Sequence, residues 1–208
     1  MIKQIDLRGL TCPEPVLRAK RLLDDPAVDR LEALVDDDVC VNNLMRLSRS
    51  LKASARHQRC DGHFQVIIER GGQADGGGLP DGQAEPAVAA AYGAQRQVGT
   101  VVFLAKDTFG EGDPELSRTL INLFLQTVLE AGHKPLAILM ANSGVKLMAP
   151  DSPVLKVLED FRAGGCEVLA CGLCLEFYGL KEKVPPEQVT NMFAISEYLF
   201  AADKVLSP

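Results

Sequence analysis

The sequence predicts two α/β units in tandem, a two-layer α/β sandwich followed by a three-layer α/β/α unit built on a parallel sheet. Three observations carry this. Residues 1–70 read in the order β-α-β-α-β-β. From residue 98 onward, short continuous apolar runs alternate with helical patterns, as in sheets buried on both faces. Between them, residues 71–97 are rich in Gly and Pro and read as a linker. Charge divides along the same line. Residues 1–72 hold 12 Lys+Arg against 11 Asp+Glu, and the remainder holds 10 against 17.

In the first unit, Ile5 and Leu7 alternate with polar neighbours, a half-buried strand by period. After Gly9, a helix is expected from Pro13 to Leu23, with Val16, Leu17, Ala19, Leu22 and Leu23 on one face. Residues 31–35 form a second strand. Asp36-Asp37-Asp38 then caps a helix over residues 39–55, because carboxylates are favoured at helix N-termini. Residues 57–60 and 64–69 are paired strands joined at Asp61-Gly62, a hairpin signal.

In the linker, residues 87–91 have the composition of a short helical turn. The second unit opens on a buried strand at 100–105, followed by a helix over 115–130 that Gly132 stops. A second buried strand covers 136–141, and a helix over 153–163 ends at Gly164-Gly165. A third strand at 167–170 runs into Cys171-Gly172-Leu173-Cys174 and a helix at 175–180. Residues 189–192 read as a fourth strand and 195–202 as a last helix. Ligand sites in such sheets gather beyond the carboxyl ends of the strands, so the loops after Ala105, Ala141 and Ala170 are expected on one rim.

Composition narrows the function. A hydrophobic share of 47% with 5% aromatics is that of an ordinary globular protein, and a net charge of −6 argues against nucleic acid or an anionic membrane surface as partner. No apolar run approaches the roughly 20 residues of a membrane helix, and the first residues lack a signal core. A cytoplasmic location is expected. There, six cysteines at irregular spacing are free, catalytic or metal-bound thiols rather than a disulfide framework.

Two cysteine loops are the candidates for chemistry. In Arg8-Gly9-Leu10-Thr11-Cys12-Pro13-Glu14-Pro15, Pro13 is expected at the first helical position and Cys12 at the cap. The positive end of the helix would favour a thiolate there, with Glu14 partly offsetting it. Cys171 and Cys174 form the only CxxC, which fits half a zinc site, a redox dithiol or a sulfur-handling pair. A structural zinc would need two further ligands, and no second CxxC exists. In His57-x-x-Cys60-x-x-His63 the strand period turns His57 and Cys60 to opposite faces, which argues against a metal. Cys40 and Cys166 read as core or helix-start residues. Phe109-Gly110-Glu111-Gly112-Asp113-Pro114-Glu115 lacks the third glycine of a dinucleotide fingerprint and is crowded with carboxylates. Neither a metal nor an organic cofactor is expected. Arg46, Arg49 and Lys52 form a solvated helix face.

The motif Cys12-Pro13-Glu14-Pro15, preceded by Asp6-Leu7-Arg8-Gly9-Leu10, resembles the signature of TusA/SirA-type sulfur-carrier domains. Residues 98–206 resemble a DsrE-like domain of flavodoxin-like fold. With Asn142-Ser143-Gly144-Val145-Lys146-Leu147, the segment from Cys171 to Leu180 and Thr190-Asn191-Met192, the chain is similar to the YedF family, sulfurtransferase-like proteins associated with selenium metabolism. The resemblance implies a carrier in which Cys12 accepts a persulfide and Cys171 or Cys174 relays it. Arg8, Gly9, Pro13, Glu14, Pro15, Asn142, Ser143 and Gly144 would support the two sites. It further implies a persulfide or selenide donor protein and an acceptor protein, and allows a homo-oligomer through the second unit. Sulfur and selenium both stay open as cargo, as does the choice between Cys171 and Cys174. The alternatives are a CxxC dithiol oxidoreductase and a non-catalytic assembly or regulatory module.

Overall fold

Ile5 and Leu7 alternate with polar residues because the first strand covers a helical layer on one face only. In the computed structural model, which describes residues 1–10, 13–60, 62–71 and 99–208, this is β1 (Ile2–Asp6). It pairs in parallel with β2 (Arg30–Val35) through the crossover helix α1 (Glu14–Asp24). Helix α2 (Asp38–Ser50) leads to the hairpin of β3 (Ala53–Cys60) and β4 (His63–Arg70). The sheet order is β1-β2-β4-β3, with β4 antiparallel to both its neighbours. Val16, Ala19 and Leu23 of α1 and Val41, Leu44 and Leu47 of α2 are buried with Leu31, Ala33, Val35, Val66 and Ile68 of the sheet. The expected two-layer sandwich is what forms.

Some boundaries differ from the sequence reading. The apolar spacing carries a helix on to Ala55, yet α2 stops at Ser50 and Lys52 turns the chain at φ 53°. The residues after it gain an eight-residue antiparallel ladder with β4, from Ala53↔Arg70 to Cys60↔His63. A ladder of that length outweighs weak helical propensity. Asp37 caps α2 as expected, its carboxylate accepting from the Cys40 amide at 2.7 Å. Asp61 of the hairpin turn lies outside the described residues, while Gly62 adopts φ 73°.

The chain divides into two compact units, one within Met1–Gln95 and one within Arg96–Pro208. The Gly/Pro-rich stretch expected as a linker and the helical turn at 87–91 lie outside the described residues, apart from Gly71.

The second unit is an all-parallel sheet with helices, the flavodoxin-like class expected. Its strands are β5 (Thr100–Leu104), β6 (Ala137–Met140), β7 (Glu167–Cys171), β8 (Val189–Thr190) and β9 (Lys204–Leu206), ordered β8-β7-β6-β5-β9. Every residue of β6 and β7 is buried, which explains the unbroken apolar run of β6 and that of β7 after Glu167. The helices are α3 (Pro114–Glu130), α4 (Leu155–Ala163), α5 (Gly172–Phe177) and α6 (Met192–Ala201). A 3₁₀ helix spans Asn142–Met148. The fourth strand is shorter than expected because Asn191 leaves it to cap α6, accepting from the Ala194 amide. The sequence reading contains no counterpart of β9. Its three residues show no period, and Val205 is exposed. Among the described residues, no helix is long and apolar enough to cross a membrane.

Candidate functional site: two cysteine-bearing loops

The loop after β1 is held on its near side by charge. Arg8 forks onto the Asp6 carboxylate, Nε at 2.9 Å and Nη2 at 2.7 Å, while its backbone amide adds a third bond. These bonds bring the Asp6 carboxyl down to about 2. Gly9, at φ 71°, donates its amide to Asp36 and so ties the loop to the start of α2. On the far side, Pro13 is the cap of α1 and not its first helical residue, with φ −96° and ψ 10°. Its carbonyl accepts from the amides of Val16 and Leu17, each at 3.1 Å. Glu14 and Pro15 take the first two helical positions, where Pro15 costs no intrahelical bond. Cys12 therefore precedes the cap in sequence and is not itself the cap. Thr11 and Cys12 lie outside the described residues. Glu14 is bound by Arg18 at 2.8 Å, which lowers its carboxyl below the usual range.

The second loop is built from three strand ends. Cys171 is the last residue of β7 and caps α5, which begins three residues earlier than the sequence reading placed it. Gly172 permits this early turn. A Cβ there would come within 3.0 Å of Val189 Cγ1 and 3.4 Å of the Thr190 carbonyl oxygen. Cys174, the third residue of α5, is partly exposed, whereas Cys171 is 2% exposed. The Asn142 amide, at the end of β6, donates to Cys174 Sγ at 3.1 Å. Asn142 adopts φ 48° at this point, and its Oδ1 accepts from the Tyr178 hydroxyl at 3.4 Å. Lys146 Nζ lies 4.6 Å from the Tyr178 ring centroid.

Ser143 Oγ accepts from the Asp107 amide at 3.3 Å, which joins the loop after β5 to the same rim. Gly144 seats this assembly. A Cβ on it would fall 2.0 Å from the Leu104 carbonyl oxygen, so any other residue would push β5 and the Asn142 loop apart.

The cysteines of this unit are differentiated by burial. Burial pushes the Cys171 thiol up, and the charge and hydrogen bond of Cys174 add to this, while the Cys174 and Leu173 amides act in the opposite direction. Cys166 is pushed up to about 12 by burial and the neighbouring Glu167. It is a core thiol, as its sequence position indicated. In the first unit, His57, Cys60 and His63 lie on β3 and β4, with Cys60 and His63 in register beside the turn. Among the described residues, no group of His, Cys, Asp or Glu is placed to hold a metal ion.

Sequence reasoning singled out Cys171, Cys174, Asn142, Ser143 and Gly144, and the fold brings these together. Tyr178 and Lys146 lay within the segments that carry the resemblance but had no site role there. Both stand four residues beyond a singled-out position, Cys174 and Asn142 respectively, so helical spacing was the available signal.

The first unit, with its strand, cysteine loop and crossover helix, is a sulfurtransferase-type α/β domain. Residues 3–70 match the family model Sulfurtransferase TusA, and the N-terminal domain of this chain belongs to that TusA/SirA-like family. The chain is similar to a SirA-like protein from Desulfitobacterium hafniense, with 31% identity over 35% of this chain and 100% of that one, at a TM-score of 0.32. It is also similar to the ychN protein from E. coli, with 17% identity over 53% of this chain and 100% of that one, at a TM-score of 0.40. No curated protein matches the chain.

Proposed function

We propose that the chain is a persulfide or selenosulfide relay, a TusA-family carrier joined to a DsrE-like unit as in the YedF family. One observation carries the reading. A domain of a sulfurtransferase family shares its chain with a partly exposed sulfur, Cys174, held at a strand-end rim by the Asn142 amide. Cys12 is the loading thiol and Cys174 the receiving one. In each transfer the attacking thiolate takes the terminal sulfur of a persulfide. A new S–S bond forms to that sulfur, the old one breaks, and the donor leaves as a thiolate, so no net oxidation occurs. Cys171, buried against Cys174, is the resolving thiol. When no acceptor thiolate has taken the cargo, its sulfur attacks Cys174 Sγ of the loaded pair, forming the Cys171–Cys174 disulfide, and its proton leaves with the terminal chalcogen as hydrogen sulfide or selenide. An external dithiol then restores the pair.

A donor protein and an acceptor protein in the cytoplasm complete the relay. A second reading, a dithiol oxidoreductase without cargo, draws on the CxxC spacing, which sets Cys171 at the cap and Cys174 at the third residue of α5.

Intact-mass measurement after incubation with persulfide and selenide donors in parallel tests the relay. The expected result is a gain of one sulfur or selenium atom that is lost in Cys12→Ser, and, in a Cys171→Ser chain that cannot discharge Cys174, a second gain that is lost when Cys174 is also replaced by Ser. If the wild-type chain gains no mass under conditions that load a known carrier, the relay is wrong. A Cys171–Cys174 disulfide formed with no cargo in any step favours the oxidoreductase.

A further inference from the structure

Thr190 is 1% exposed, and its hydroxyl has no hydrogen-bond partner among the described residues. A buried hydroxyl left unmatched is costly, so its position calls for a physical reason. β8 consists only of Val189 and Thr190, and its pairing with β7 sets Thr190 opposite Cys171. Registered partners in a parallel pair project to the same face, so the Thr190 and Cys171 side chains stand on one face of the sheet, with no hydrogen bond between them in the resting dithiol. The absent Cβ of Gly172 draws the end of β8 close at the same point, with Val189 on the opposite face. A threonine O–H rotates freely about its C–O bond and can serve as donor. Among the described residues, the titratable group whose charge acts on Cys171 is Cys174.

We propose that Thr190 is a positioning residue for Cys171. Its hydroxyl is unused in the resting dithiol, donates to the Cys171 sulfur when that sulfur carries negative charge, and so governs how readily the buried member of the pair attacks Cys174. The inference rests on the assignment of Cys171 as resolving thiol and is independent of which chalcogen is carried. In the attack, charge builds first on Cys171 Sγ and passes to the departing sulfur as the new S–S bond forms. A donor placed at Cys171 therefore stabilises the state in which the proton has left and the bond has not yet closed.

The test compares wild type, Thr190→Val and Thr190→Ser in the full-length chain. Valine keeps the shape and removes the hydroxyl, while serine restores it. In a Cys174→Ser background, the thiolate absorbance of Cys171 is followed against pH. Loss of one hydrogen bond to a charged sulfur is expected to lower its thiolate fraction roughly tenfold at a given pH, a rise of about one pKa unit, with serine returning towards wild type. With both cysteines present, disulfide closure by a mild oxidant should slow by a similar factor in Thr190→Val. Thr190→Val and wild type titrating alike, or serine failing to restore the profile while the fold is intact, would overturn the proposal. A chain that never takes up sulfur or selenium but shows the valine–serine difference sinks the relay and leaves the role of Thr190 standing.

Discussion

The two cysteine loops are held by different forces. Around Cys12 the neighbouring residues are fastened by exposed charge: Arg8 on Asp6, Gly9 on Asp36 and Glu14 on Arg18. Around Cys174 the fastening is steric and backbone-borne: an amide on sulfur, a left-handed Asn142 and a glycine pressed against Leu104. Exposed ion pairs are individually weak and screened by salt, whereas a backbone wedge has no soft alternative. The residues flanking the first loop are therefore held by soft bonds and the second loop by stiff ones, a division that suits the proposed roles of loading end and receiving end.

The comparison is sharpest at the buried extreme. With its thiol moved from an ordinary 9.0 to about 12, Cys166 should alkylate about a thousandfold more slowly than an unperturbed thiol at neutral pH. Mass mapping of a timed iodoacetamide reaction checks this, and modification of Cys166 alongside Cys174 in the folded chain would break the ranking. Gly144→Ala should destabilise the second unit by about 3 kcal/mol, because backbone and not a flexible side chain stands in the way. Urea unfolding measures it, and an unchanged midpoint would show that the rim is softer than the contact implies.

Asn142→Ala replaces a residue that tolerates left-handed backbone with one that does not, and it loses the Tyr178 bond, with an expected cost of about 1–2 kcal/mol. Asn142→Gly should recover most of that in the same unfolding assay, since the amide on Cys174 belongs to the backbone. The smallest effect belongs to the first loop. Asp6 should titrate near 2 by NMR in wild type and move back towards 3.8 in Arg8→Ala. Because the folded value lies below the unfolded one, this pair's stabilisation is present above about pH 4 and is lost as pH falls towards 2. The pair is solvent-exposed, so the unfolding midpoint of Arg8→Ala at neutral pH should stay close to wild type.

The fold class was legible because its signals are periodic. Alternation marked β1, unbroken apolar runs marked β5 and β6, and Asp37 and Gly164 punctuated helices. Elements defined by long-range partners were not. β3 is longer than its own residues suggest because β4 supplies the ladder, and β9 exists only through β5. At the second loop, cysteine chemistry and strand-end position were readable in advance. The Asn142 amide and the register of Thr190 depend on which strands lie side by side, and no local spacing encodes that. At the first loop, the reading misplaced the cap by one residue, since two prolines flanking Glu14 satisfy either frame.

β9 has a consequence for how the second unit comes into being. β5 is hydrogen-bonded on one side to β6 and on the other to Lys204–Leu206, and Gly99 is clasped by Asp203 across a separation of 104 residues. During synthesis, β5 leaves the ribosome long before its outer neighbour exists, with that edge unpaired and its apolar residues ready to join any stray strand. That edge stays open until Lys204–Leu206 arrives, so the last strand of the sheet in chain order acts as the seam that closes the garment.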